Sequence, residues 1–451
     1  MRTTTSRITP VLLFTTLLVA QGVAQTVAPT LVKDLEATGG SYPQHFCTRN
    51  VTGSPLFFTA KVGGKRDLFR TDGTALGTLR LTTLQDDITS AIGVGPLIYF
   101  TTASKKLYKT DGSVNGLIML KQFARLSDLH GTHLPNKMFF EASLTTNTWE
   151  LWVTDGTVGG TIVLKQPGNG YLGRISNIGA LGGKVYFSGD ARDHPSDLSA
   201  ALFISDGTPA GTHRLIDIPG IDDVTELTVA NNKLYFGANR NPTATTPVNS
   251  DHEPWISDGT TAGTKCIKDL KPIGGSFCAG FTYWEKTGRT YFKGNRDLVM
   301  DDGSKVKLLV PAADICYDLC SSKGKLYFLA SVETASGTVY SVRSLNATTL
   351  PLGGSTVITD KIEYTLPQTY GAQGEKLIPV FIEADPTTGK LFIQGYSAWM
   401  LVCDPSTKVV SFVQPAVAPA PTIPTRSFNY NGFMYFSADY TGQGSELYRV
   451  Q

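Results

Sequence analysis

Residues 150–161 read ELWVTDGTVGGT, and close copies stand at 67 (DLFRTDGTALGT), 201 (ALFISDGTPAGT) and 253 (EPWISDGTTAGT). Each copy is a short aromatic run that stops at Asp-Gly-Thr and resumes after a second Gly-Thr. Gly supplies a positive φ, and the Asp side chain accepts hydrogen bonds from backbone N–H groups one or two residues on, so the stretch reads as a tight hairpin. The turn Asp recurs at 72, 111, 155, 206, 258 and 302. Those intervals, roughly 40 to 50 residues, match a unit of four strands repeated as a propeller blade.

A second signal precedes each turn: LFF at 56, LIYF at 97, MFF at 138, VYF at 185, LYF at 234 and TYF at 290. It continues without the turn as LYF at 326, LFI at 391 and MYF at 434. These runs are apolar on both faces, as a strand sandwiched between two neighbouring sheets requires. The third unit divides into strands at 125–129, 137–142, 150–154 and 161–165. The fold expected is therefore an all-β, single β-propeller of four-stranded antiparallel blades over residues 28–451. Nine blades follow from the nine aromatic runs; eight is the alternative, because units six to eight are irregular. TLVKDL (30–35) resembles the outer strands CIKDL and HRLIDI, whereas the last unit stops at SELYRVQ. The N-terminal strand is thus expected to complete the last blade and close the ring, removing exposed sheet edges. The Pro-rich QPAVAPAPTIP (414–424) reads as a stiff connection into that blade.

The pattern resembles the ELWxxDGT-repeat family of secreted bacterial proteins, and its turns are similar to the Asp-box hairpins of sialidase-type propellers. The match is good over about 65–310. It departs at Asp111, which Gly-Ser follows, at Asp302, followed by Gly-Ser-Lys-Val, and in units seven to nine. The resemblance implies a secreted propeller and brings no defined activity. Rim turns that repeat around a ring cannot converge on one substrate, so Asp72, Asp111, Asp155, Asp206, Asp258 and Asp302 are expected to be architecture. The acid that opens the ELW-like strands (Glu150, Glu253, Glu446) recurs with the repeat and is read as a structural partner too.

Residues 1–24 have the form of a signal peptide: Arg2 and Arg7, an apolar stretch VLLFTTLLVA (11–20), then Gly22-Val23-Ala24. Ten apolar residues are too few for a bilayer span, which takes about 20. Without Arg2 and Arg7 the formal charge of +2 falls to 0. A neutral chain without basic clusters lacks a footprint for nucleic acid. An exported chain with six Cys leaves two alternatives open, disulfide bridges or buried small side chains.

No HExxH, GxSxG, P-loop or GxGxxG occurs. His130 and His133 (HGTH) read as a turn, since no third metal ligand accompanies them. The informative departure lies in units four and five, whose loops between second and third strands are long: 189–200 and 238–254. Loops held on a rigid scaffold are where binding resides. Asp190, Arg192, Asp193, His194, Arg240, Asp251 and His252 are the candidate ligand-binding residues, with solvated insertion as the plainer reading. Asp190, Asp193 and Asp197 form a candidate calcium site, because hard cations take clustered oxygens. The leading function is a secreted, non-catalytic binding or adhesion module for a glycan or protein. A polysaccharide-degrading glycosidase or lyase with acid and base in those loops, and a structural surface protein, are the alternatives.

Overall fold

The computed structural model describes residues 25–451 apart from 114, 130–132, 147–148, 165–171, 192–199, 216–223, 240–251, 272–273, 286, 296, 302–305, 309–313, 336, 347–360, 371–374, 396–399, 414–426 and 441–443. The signal-like segment, Asp302 and the Pro-rich stretch therefore lie outside the described residues. So does His130. His133 is described only as backbone, in a short strand His133–Leu134 paired with Met138 and Lys137.

The chain forms nine antiparallel blades. Blade 1 runs Gln44–Thr48, Leu56–Val62, Lys65–Thr71 and Leu79–Arg80, from the central channel outward. Blade 3 reproduces the expected division closely, with Arg125–Leu126, Lys137–Ser143, Glu150–Thr154 and Ile162–Leu164. The nine-blade count holds, and the ring closes as expected: Thr30–Lys33 pairs antiparallel with Glu446–Val450 as the outer strand of blade 9. The sequence reading did not foresee the strand just ahead. Gln25–Val27 lies parallel to Val410–Val413 and adds a fifth strand to blade 8. One N-terminal segment thus covers the edges of two adjacent blades.

The aromatic second strand of each blade packs both ways. In blade 1, Phe57 faces Ile98 and Phe100 of blade 2, while Leu56 and Phe58 face Tyr435 and Leu447 of blade 9. All three side chains are fully buried. Burial on both faces is worth about 1.5–3 kcal/mol for each large side chain, which is why this strand stays aromatic where the turns drift. The buried apolar residues separate into nine clusters, one at every blade–blade seam, including the seam between blades 9 and 1. No helix among the described residues is long and apolar enough to cross a membrane.

All six cysteines are free thiols. Cys47, Cys278 and Cys316 sit in the seams, where burial pushes their thiols up to about 12.

Candidate functional site

The two faces of the ring are built differently. On one face the chain turns from third to fourth strand through Asp-Gly-Thr. Asp72 Oδ1 accepts from Thr74 N at 2.8 Å and Thr74 Oγ1 at 2.7 Å, and the same pair of bonds recurs at Asp155, Asp206 and Asp258. At Asp111, Ser113 N donates at 2.8 Å. These hydroxyl and amide donors hold the Asp155 carboxyl below the ordinary carboxylate range.

Both glycines of the motif have a steric reason. The first has φ near +90° (Gly73 +94°, Gly156 +87°) and lies against the second strand of the preceding blade, Gly73 on Tyr435 and Gly156 on Tyr99. The second, Gly77 or Gly160, lies directly under the motif's own carboxylate, where a Cβ would collide with it. A hydroxyl before the Asp completes the turn: Thr71 Oγ1 accepts from Gly73 N at 2.9 Å and meets Thr78 Oγ1 at 2.7 Å.

Blade 8 carries a version that the sequence reading missed. Asp404 Oδ1 accepts from Ser406 N at 2.8 Å and Ser406 Oγ at 2.6 Å, the same geometry with Pro405 in place of Gly. The detectable signal was an Asp followed two residues later by a hydroxyl, just after a buried strand.

On the opposite face lie the loops between second and third strands and the links from one blade to the next. Of the candidate residues there, Arg192, Asp193, His194, Asp197, Arg240 and Asp251 fall outside the described residues, and Asp190 is described only as backbone paired with Gly173 and Ala200. His252 is described. It is 3 % exposed, its Nε2 is 2.8 Å from Thr225 Oγ1, and its ring stacks on Phe277 at 5.8 Å with 13° between planes. The structure thus sets this imidazole inward.

The neighbouring acids behave as the repeat suggested. Buried Glu446 accepts from Leu35 N (3.0 Å), Ser41 N (2.8 Å) and Ser41 Oγ (2.7 Å) in the link from blade 9 to blade 1. Buried Glu253 accepts from Leu270 N at 2.9 Å in the link from blade 5 to blade 6. Buried Asp67 fills the same place in blade 1, accepting from Leu84 N at 3.0 Å and Thr82 Oγ1 at 2.8 Å.

Two of these links are copies of one another: KDLEATGGSY (33–42) and KDLKPIGGSF (268–277). Each ends in an aromatic residue with left-handed backbone, Tyr42 at φ +47° and Phe277 at φ +46°. Both rings remain in solvent, Tyr42 44 % and Phe277 59 % exposed. The serine before each is held on both sides. Lys61 N donates to Ser41 O at 2.6 Å, Asn295 N donates to Ser276 O, and Ser276 N donates to His252 O at 2.7 Å. The sequence carried this signal, a ten-residue near-repeat, in what reads as plain loop.

No family model matches the chain, and no curated protein matches it. Solved structures resemble it in overall form. A computationally designed protein, Ika8, is 9 % identical with a TM-score of 0.45, over 93 % of this chain and 99 % of that one. A puromycin hydrolase is 14 % identical with a TM-score of 0.43, over 92 % of this chain and 62 % of that one, so this chain spans about three fifths of that enzyme. An oligogalacturonate lyase from Vibrio parahaemolyticus is 9 % identical with a TM-score of 0.40, over 94 % and 97 %. Likeness at this level says nothing of ligand or activity.

Proposed function

We propose that this chain is an exported, non-catalytic binding propeller of the ELWxxDGT kind that holds a glycan on its loop face. The observation that carries the reading is the pair Tyr42 and Phe277. A non-glycine residue at positive φ carries a strain of about 1 kcal/mol or more, and a ring left this far exposed recovers little of it by burial within the monomer. Two copies of one link nevertheless present an aromatic ring in this way. The surrounding hydrogen bonds fix both backbones, and the His252 ring backs Phe277. A flat, rigid apolar ring is suited to the apolar face of a sugar. The neutral balance of the processed chain fits an uncharged polymer better than nucleic acid.

The test is incubation of the purified protein with a panel of immobilised polysaccharides, following retention and released product. Retention without product is expected, weakened about tenfold or more by Phe277→Ala or Tyr42→Ala. Asp193→Ala with Asp251→Ala probes the long loops of blades 4 and 5, including the calcium proposal when repeated with chelator. Asp155→Ala, on the other face, should leave retention intact. Released oligosaccharide would favour the glycosidase or lyase reading, and unaltered retention in both aromatic variants would refute this one.

A further inference from the structure

The Asp-Gly-Thr face carries a basic cluster that no run of the sequence announces, at the seam between blades 7 and 8. Lys325 opens the second strand of blade 7 (Lys325–Thr334), and Lys361 opens its outer strand (Lys361–Thr365). Lys408 stands in the Asp404 turn of blade 8. The three ammonium groups converge on one buried carboxylate, Glu363, with Lys325 and Lys408 at 2.8 Å and Lys361 at 3.6 Å. We propose that this cluster is a binding site for a doubly charged phosphate group, free or carried as a monoester. The proposal does not depend on the loop-face reading.

Charge decides the sign of the ligand. Lys390 and Asp404 adjoin the cluster as a pair 4.0 Å apart. Among the described residues, four ammonium groups there face two carboxylates, an excess of two positive charges. Glu363 is fully engaged: its oxygens accept from Lys325, Lys408 and, at 2.7 Å, the Ser344 hydroxyl. Lys361 pairs with it by proximity alone. An ammonium has three donors, so Lys325 and Lys408 each keep two after serving Glu363. Like charges held this close repel, and a dianion seated among them offsets the excess.

The amines are within reach of solvent and the carboxylate is not. The side chains of Lys361, Lys408 and Lys325 are 71 %, 50 % and 37 % exposed, against 1 % for Glu363. Two of the amines are also held in place. Lys325 Nζ lies 5.9 Å from the centre of the Tyr327 ring, and Lys408 Nζ lies 5.4 Å from that of Tyr364. Lys408 sits at φ +62°, in a turn closed by its N–H on Asp404 O at 2.9 Å. Backbone strain of this kind clusters at ligand clamps. Lysine binds phosphate as a point charge, and a phosphate monoester carries about −1.5 to −2 near neutral pH. A carboxylate, or a diester of nucleic acid, brings one charge and leaves half of the excess unmet.

The experiment is titration calorimetry of the full chain at low salt and mildly alkaline pH, with inorganic phosphate, glucose 6-phosphate and the singly charged dimethyl phosphate. Saturable binding of inorganic phosphate is expected, weakening as salt is added, with dimethyl phosphate about tenfold weaker or more. Glucose 6-phosphate bound as tightly places recognition in the phosphoryl group and admits a phosphorylated polymer; binding of inorganic phosphate alone confines the site to the free ion. Lys361→Gln, which leaves the bonds to Glu363 intact, should weaken binding about tenfold, and Lys361→Glu should abolish it. Lys184→Gln, exposed at the start of the second strand of blade 4, should change nothing. Thermal melts check that each variant is folded. Absence of saturable phosphate binding, dimethyl phosphate bound as tightly as phosphate, or binding that survives Lys361→Glu would each overturn the proposal.

Discussion

The Glu446 carboxylate is the most exacting place to test how the ring is closed. It is 7 % exposed and accepts three hydrogen bonds from a segment more than 400 positions away in sequence. Glu446→Ala removes the acceptor and strands the amides of Leu35 and Ser41 and the Ser41 hydroxyl. Bonds to a charged acceptor contribute roughly 1.5–3 kcal/mol each, and water reaching the outer donors recovers part of the loss. A net destabilisation of about 3–5 kcal/mol follows.

The charge itself works the other way. Burial raises the Glu446 carboxyl above its ordinary value of 4.5 despite the bonds it accepts. A raised acid contributes stability that is complete below 4.5 and is lost as pH rises through the folded value. Glu446→Gln keeps an amide oxygen and sheds the desolvation cost, so it should cost less than Ala. The advantage of the parent over the Gln variant should also be larger at acid pH than at neutrality. Urea denaturation gives the free energies, and hydrogen exchange locates them: Thr30–Ser41 should lose protection while blades 4 and 5 keep theirs. An Ala variant within about 0.5 kcal/mol of the parent, or with unchanged exchange at Thr30–Ser41, would refute this account of closure.

Two further outcomes follow from the same structure. Asp155→Ala and Asp404→Ala should each cost about 1 kcal/mol in urea denaturation, because each loses one turn-closing carboxylate of the same geometry; a cost confined to Asp155 would remove blade 8 from the motif. Burial works to raise the carboxyl of Glu363, but its bonds to Lys325, Lys408 and Ser344 override that and bring it down to about 2. Its contribution is present above 4.5 and fades as pH falls toward 2, so Glu363→Gln should flatten the acid limb of the stability curve there; an unchanged limb would contradict the assignment.

The legible part of this fold is what local chemistry dictates. Every seam needs an aromatic strand buried on both faces, so nine runs announce nine blades. Asp-Gly-Thr is readable because its donors, acceptor and positive φ all lie within three residues. The strand Gln25–Val27 was not legible: three residues carry no pattern, and its place depends on a free edge at Val410–Val413 that only the assembled ring creates. Asp404 escaped because Pro405 replaced the glycine that marks the turn. The link copies at 33–42 and 268–277 were present as letters, but their meaning rests on acids outside them, Glu446 and Glu253. At the candidate site, charge in the long loops drew attention to His252, whose setting depends on partners that no spacing rule supplies, Thr225 and Phe277.

The spacing of the repeat now has a mechanical explanation. In blades 1, 3 and 5 the third strand carries an acid near its start, and the turn Asp follows five positions later: Asp67 and Asp72, Glu150 and Asp155, Glu253 and Asp258. Five residues of strand advance about 17 Å, enough to cross the sheet from one face of the ring to the other. At the loop face the acids of blades 1 and 5 grip the link to the next blade, Asp67 on Leu84 and Glu253 on Leu270. At the turn face the first glycine of the motif seats on the previous blade, Gly73 on Tyr435, Gly156 on Tyr99 and Gly259 on Tyr186. One strand thus carries both latches, forward on one face and backward on the other, and a fixed interval keeps them on opposite faces. A blade that drops the Asp turn gives up its backward latch but keeps the aromatic seam. Glu446 sits in such a blade and still holds the forward latch, at the junction where the ring must close.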